Sequence, residues 1–228
     1  MIIYGKQVCL YALENYTKNI ETVYVAKKGI LPQGLYEQYK GKIKFLENRW
    51  AQAMSKGGNH QGLLIEMSDF ETTSFEEIKR GEFIIILDGL TDVGNIGAIV
   101  RTAYALGVDG IIASGVKKLN FGAIARSSSG ALLDMPFIIE QNPLDMINEL
   151  KQLGFVTYGA AMEGEAIESS QFAKKRVLIL GSEDKGLSKK IRQKLDKTIS
   201  ISMKRDFDSL NVSVAGAIMI HRMSYGIK

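Results

Sequence analysis

The stretch FIIILDG (83–89) constrains the fold most: five apolar residues in a row, closed by Asp88 and Gly89. A strand with one wet face alternates apolar and polar residues. An unbroken apolar run bounded by turn residues reads instead as a strand buried on both faces, as in a parallel sheet covered by helices. A similar rhythm continues downstream. A helix over 95–107 is closed by Gly107, at the usual C-terminal position for glycine. Then come GIIAS (110–114), a helix around 121–131, PFIIE (136–140) and a helix from Asn142 or Pro143 to Leu153. FVTYGAA (155–161), VLILG (177–181) and KTISISM (197–203) read as further strands. The last helix runs through SLNVSVAGAIMI (209–220), with Asp208 or Ser209 as its N-cap. Strand and helix in alternation predict an α/β fold with a mostly parallel sheet. Such sheets bind ligands beyond the carboxyl ends of their strands, so the loops after Leu87, Leu180 and Ser202 are the candidates.

Upstream, TVYVA (22–26), KIKFLE (42–47) and QGLLIEM (61–67) read as strands, and the segments between them as helices, the last of which, NRWAQAMSK (48–56), Asn48 could cap. The polar stretch 68–82 reads as a linker with a short helix from Ser74, where Glu77 would complete a capping box. The expected organisation is a small N-terminal α/β domain over 1–68, a linker over 69–81 and a larger domain over 82–228.

Several chemistries are excluded early. Cys9 is the one cysteine, so no intrachain disulfide forms. With His60 and His221 as the two histidines and no CxxC, no zinc or other metal site is expected. The net charge of +4 permits a nucleic-acid partner without requiring one. The first residues, MIIYGKQVCLYALENY, are broken by Lys6 and Glu14 and do not form a signal peptide; no apolar run reaches membrane-spanning length. A cytoplasmic protein is expected.

Three loops could carry chemistry. In DGLTDVGNIGAIVRTAYALG (88–107), Asn95 stands at the helix start, where it would serve as a cap, and Arg101 lies six residues on. Six residues of helix turn about 600°, so the two side chains diverge by about 120°. Arg101 has Ile99, Val100, Ala103 and Tyr104 as neighbours; an arginine held against an apolar face usually has an anionic partner. In VLILGSEDKGLS (177–188), Gly181 and Gly186 resemble the start of a phosphate loop. Leu187 stands where its lysine must be, so a nucleoside triphosphatase is rejected. What remains is a strand ending in Gly-Ser-Glu, with open backbone amides beside Glu183. In ISISMKRDFDSLNVSVAGAIMI (199–220), a charged loop leads into a helix rich in small residues, which let a backbone or a flat ligand approach closely. Read alone, each loop also fits plain packing.

Together they resemble the three motifs of the SpoU, or TrmH, family of RNA ribose 2′-O-methyltransferases, in the SPOUT superfamily. NIGAIVRTA is similar to the first motif, LILGSEDKGLS to the second, and ISISM followed by SLNVSVAGAIM to the third. YGKQVCLYAL (4–13) and GGNHQGLLIEM (57–67) look like the substrate-binding domain of the branch that modifies a guanosine in large-subunit rRNA. The resemblance implies a fold like ribosomal protein L30e for that domain, and a C-terminal trefoil knot in the catalytic one. It further implies S-adenosyl-L-methionine as cofactor, RNA (rRNA foremost) as partner, and a homodimer through the knotted region. Carried over by position, Gly181, Ile201 and Leu210 line the cofactor, with Ser182, Gly186 and Met203 beside them. Arg101 is the catalytic arginine, and Asn95, Glu183, Ser209 and Asn211 complete the polar site. Relatives acting on tRNA usually carry short helical extensions in place of the N-terminal domain.

Overall fold

A computed structural model describes residues 1–182, 184–205 and 209–227. The chain divides into two compact units. The first is built from Met1–Glu71 together with Asn120–Leu133, the second from Thr72–Leu119 together with Asp134–Lys228.

In the first unit, β1 (Ile2–Tyr4), β2 (Ile20–Val25), β3 (Ile43–Phe45) and β4 (Leu63–Met67) form a four-stranded sheet in the order β1-β4-β2-β3. β4 runs antiparallel to β1 and β2, while β3 joins β2 in parallel as the edge strand. Helices α1 (Lys6–Asn15), α2 (Gln33–Tyr39) and α3 (Asn48–Met54) connect them. Tyr39 ties α2 inward by donating its hydroxyl to the Leu13 carbonyl at 2.7 Å. Burial raises the Cys9 thiol pKa far above its ordinary value, so this cysteine behaves as a small core residue.

The second unit holds a six-stranded, all-parallel sheet. Its strands are β5 (Phe83–Asp88), β6 (Gly110–Ser114), β7 (Phe137–Glu140), β8 (Val156–Ala166), β9 (Arg176–Gly181) and β10 (Lys197–Ser200). Their order is β10-β8-β9-β5-β6-β7, which puts β5 and β9 side by side with Asp88 opposite Gly181. Ile84 and Ile86 of β5 face a core shared with α4 (Phe75–Ile78), α7 (Pro143–Gln152) and α8 (Lys189–Arg192). Full burial of such a side chain contributes roughly 1.5–3 kcal/mol. The opposite face is covered by α5 (Val93–Ala105) and the last helix, α9 (Val212–Tyr225). A Cβ on Gly216 of α9 would lie 3.0 Å from Leu180 and 3.5 Å from Ile99, so this glycine lets α9 lie tight on β9 and α5.

One helix crosses between units in sequence. α6 (Phe121–Ser127) follows β6, yet it packs on β1 of the first unit. A Cβ on Gly122 would stand 2.1 Å from the Ile2 carbonyl oxygen, and the Arg126 guanidinium donates to the Asn59 carbonyl at 3.3 Å.

The expected strands are present, with shifted ends. The strand expected over 197–203 stops at Ser200, and the helix expected to Ala131 stops at Ser127, followed by a 3-10 turn over Ala131–Leu133. β1, α1 and α8 are elements that periodicity did not mark, while α2 is the helix expected between the first two strands. Four expected caps are corrected. Asp92, not Asn95, caps α5, its Oδ1 accepting the Asn95 amide at 2.7 Å. Asn211, not Ser209, caps α9; Asp208, the alternative, lies outside the described residues. Asn48 is the first residue of α3 rather than its cap. Ser74 precedes α4 but its side chain makes no capping bond, so the expected capping box is absent.

Candidate active site

The site begins with β5 and β9, whose carboxyl ends lie together. Asp88, nearly buried at the end of β5, accepts the Ser188 amide on Oδ2 at 2.7 Å. That bond pins the β9–α8 loop to the neighbouring strand. The loop itself is tight: the Gly186 amide donates to the Ser182 carbonyl at 2.8 Å, and Gly186 has φ +60°, a left-handed backbone that suits glycine. A Cβ on Gly181 would fall 2.1 Å from the Gly186 carbonyl carbon and 2.3 Å from the Leu187 nitrogen. Both are backbone atoms, so nothing larger than glycine fits.

Beside this loop lies a cleft of about 630 Å³ in the second unit. Gly181, Ser182 and Gly186 form one wall; Ile201 and Met203, after β10, form a second; Ser209, Leu210 and Asn211, leading into α9, form a third. The second and third sequence motifs therefore converge on one cavity. Ala160, Ala161 and Met162 of β8 supply a further wall, and Lys185 and Arg192 bring positive charge to it. Sequence reading passed over these residues. The small side chains of FVTYGAA were a usable signal; Lys185 and Arg192 gave none, because surface cations are common.

Asn95 and Arg101 do not line the cleft. Asn95 is joined to it: Asn211 donates its Nδ2 to Asn95 Oδ1 at 3.0 Å. This orientation is enforced. Asn211 Oδ1 already accepts the Ser213 amide at 2.9 Å, the Val214 amide at 3.4 Å and the Ser213 hydroxyl, so its amide nitrogen must face the other way. Arg101 stands on α5 two turns beyond Asn95, exposed and not sunk in the apolar face its neighbours suggested. Glu183 lies outside the described residues. His60 is buried and serves its own turn, with Nδ1 accepting the Gly62 amide at 3.0 Å.

Two carboxylates brace the strands that carry the cleft. Glu168 accepts the Ser202 amide at 3.2 Å and hydroxyl at 3.0 Å, fixing the segment after β10. A backbone hydrogen bond within its own residue, then those from Ser202, hold its carboxyl below the ordinary value. Asp196, just before β10, meets Lys151 at 2.6 Å and the Thr157 hydroxyl at 2.8 Å. Burial pushes its carboxyl up, but Lys151 and Thr157 outweigh that and hold it below the ordinary value.

The residues present suit a mixed apolar and polar ligand of nucleoside size: a cleft within the usual 300–1,000 Å³, glycine-lined backbone on one wall and apolar side chains on others. Comparison with known proteins agrees. The profile described as SpoU rRNA Methylase family matches residues 82–221, more than half of the chain. The chain belongs to the SpoU rRNA methylase family. In this SpoU protein a second profile, described as RNA 2′-O ribose methyltransferase substrate binding, matches residues 2–73. An Archaeoglobus fulgidus protein named as an uncharacterized tRNA/rRNA methyltransferase is 33% identical over 164 residues, covering 70% of this chain and 72% of that one. A Staphylococcus aureus protein named as a TrmH-family tRNA/rRNA methyltransferase is 31% identical over 193 residues, covering 81% and 74%. Among solved structures, the SpoU methyltransferase AviRb from Streptomyces viridochromogenes, in complex with the cofactor AdoMet, superposes with a TM-score of 0.76. At 23% identity over 98% of this chain and 89% of that one, that likeness concerns the fold. Among the described residues no cluster could hold a metal ion, and no helix is long and apolar enough to cross a membrane.

Proposed function

We propose that this SpoU protein transfers a methyl group from S-adenosyl-L-methionine to the ribose 2′-hydroxyl of a guanosine in 23S rRNA. The observation that carries the proposal is the convergence of the second and third motifs on one cleft, tied through Asn211 and Asn95 to the first motif's helix, which bears Arg101. Gly181, Ser182, Gly186, Ile201, Met203 and Leu210 would hold the cofactor, largely through backbone groups. When bound, it supplies a methyl group on a positively charged sulfur.

The remaining work falls to this chain. The ribose oxygen must be aligned with the methyl carbon, and alignment alone can be worth several kcal/mol. Asn95, Ser209 and Asn211 orient the ribose. Arg101, exposed on α5, grips an RNA phosphate and stabilises the charge that develops on the ribose oxygen. An arginine is protonated at any working pH, so the proton passes to water or to Glu183. The pH–rate profile of Arg101→Lys in single turnover tests this division. A rate that climbs through the lysine titration near 10.4 would make residue 101 the base instead.

The protein is proposed to act as a cytoplasmic homodimer. Val214, Ile218, His221 and Tyr225 form an exposed stripe on α9, three and four residues apart, with the His221 and Tyr225 rings 5.0 Å apart. An apolar stripe of this kind on a water-facing helix marks an interaction surface. The same reading gives the second unit a C-terminal trefoil knot. It is supported by the return of β10 to the outer side of β8 and by the hydrogen bonds that join the tail to the 168–172 segment, where the Phe172 amide donates to the Gly226 carbonyl and Arg222 to the Ser170 carbonyl. The substrate assignment rests on the first unit, which relatives acting on tRNA usually replace. Mapping 2′-O-methyl groups in rRNA and tRNA from cells with and without the gene tests it. Loss of one 23S guanosine methyl is expected; loss from a tRNA would move the substrate there, and unchanged maps would refute the function.

A further inference from the structure

The first unit carries a surface that the cleft does not use. Edge strand β3 and helix α3 are joined by one continuous segment. Within it Phe45 is 62% exposed and Trp50, the single tryptophan of the chain, is 56% exposed. Two large aromatics left in water within six residues cost hydrophobic free energy unless something covers them. Arg49 lies with its guanidinium carbon 5.2 Å from the Trp50 ring centroid, held there by Glu47 at 2.9 Å. The surrounding charge is mostly positive. Between residues 40 and 56 stand Lys40, Lys42, Lys44, Arg49 and Lys56 against Glu47 alone. Five positive charges less one negative give +4, equal to the net charge of the whole chain.

Exposed aromatic rings set among cations are what single-stranded nucleic acid requires. Bases stack on the rings, and the phosphates between them meet the positive side chains. A duplex hides its base faces and gains little from such rings. A lipid surface would want a long amphipathic helix, whereas α3 spans seven residues. We propose that Phe45, Arg49 and Trp50 form a stacking platform for unpaired bases of the RNA substrate. The platform rests on the reading of this chain as an RNA-modifying enzyme, and lies on residues to which that reading assigns no role.

Trp50 reports on itself, because no other tryptophan contributes to the emission. The intact protein is titrated with a fluorescein-labelled single-stranded RNA of about twelve nucleotides and with the same strand annealed to its complement. Saturable quenching of tryptophan emission by the single strand is expected. Trp50→Ala and Phe45→Ala should each weaken single-strand binding by about 5- to 100-fold, with a much smaller effect on the duplex. Both side chains are exposed, so circular dichroism melting should show folded variants. Unchanged emission while RNA anisotropy rises would overturn the platform, as would an equal loss on single strand and duplex, or no RNA binding. Emission that changes with protein concentration alone, together with a smaller solution mass for Trp50→Ala, would make the patch a contact between copies and also overturn it. Calorimetry with S-adenosyl-L-methionine separates the two claims: absent cofactor binding with intact quenching sinks the methyltransferase reading and leaves the platform standing.

Discussion

Removing the side chain of Asn211 should cost both stability and activity, and the two losses can be separated. In Asn211→Ala, the amides of Ser213 and Val214 lose the acceptor that caps α9. Loss of such a cap costs about 0.5–2 kcal/mol. The bond to Asn95 at 3.0 Å is lost as well, worth about 0.5–1.5 kcal/mol. Together these give roughly 1–3.5 kcal/mol, visible as a lower urea midpoint with an unchanged slope. Asn211→Asp separates the terms. Aspartate caps as well as asparagine, and its charge suits a helix N-terminus, so the cap survives. It has no N–H to donate, and it presents oxygen to Asn95 Oδ1. Asn211→Asp should therefore keep most of the stability and lose methyl transfer, while Asn211→Ala loses both. A double-mutant cycle with Asn95→Ala should show a coupling of about 0.5–1.5 kcal/mol. Equal destabilisation by Ala and Asp, or no coupling between residues 95 and 211, would refute the reasoning.

Other expectations follow from the same geometry. Gly181→Ala drives a methyl group into the Gly186–Leu187 backbone; it should lower stability by about 1–3 kcal/mol and abolish calorimetric binding of the cofactor. Asp196, with a carboxyl held below the ordinary value of about 3.9, contributes stability above that pH and loses it as pH falls through its depressed folded value. Asp196→Asn should therefore cost about 1 kcal/mol at pH 7, with the deficit shrinking as pH falls through the depressed folded value and the wild-type group is protonated too; a deficit independent of pH would refute the assignment. Replacing Val214 and Ile218 together by glutamate should halve the mass seen by light scattering while leaving the melting temperature nearly unchanged, since both side chains face water within one copy.

Much of this was legible in the chain, for physical reasons that differ by element. GIIAS and FIIILDG became β6 and β5 because a strand buried on both faces leaves an unbroken apolar run that nothing else explains. Caps were harder. Asp92 and Asn95 are both good caps three residues apart, and the chain enters the helix at Val93, before Gly94. Ser209 lost to Asn211 in the same way. The partner of α6 was invisible, because its sequence says that one face is buried but not against which unit. Gly122 fits against the Ile2 carbonyl only once the fold exists. In the site, the motifs picked out residues of two loops that line one cleft and of a third joined to it by one hydrogen bond. The β8 wall was missed, since Ala160 and Ala161 in a strand read as ordinary packing. The Asn95–Asn211 bond spans 116 residues, and no local pattern encodes a contact of that range.

The most direct measurement is methyl transfer itself. The purified protein would be incubated with methyl-labelled S-adenosyl-L-methionine and unmodified 23S rRNA, and the RNA digested to nucleosides. Label should appear in 2′-O-methylguanosine at one site, and disappear with Arg101→Ala even though that variant still binds the cofactor. Label on a base rather than a ribose, equal labelling by Arg101→Ala, or no label in any RNA offered would contradict the account.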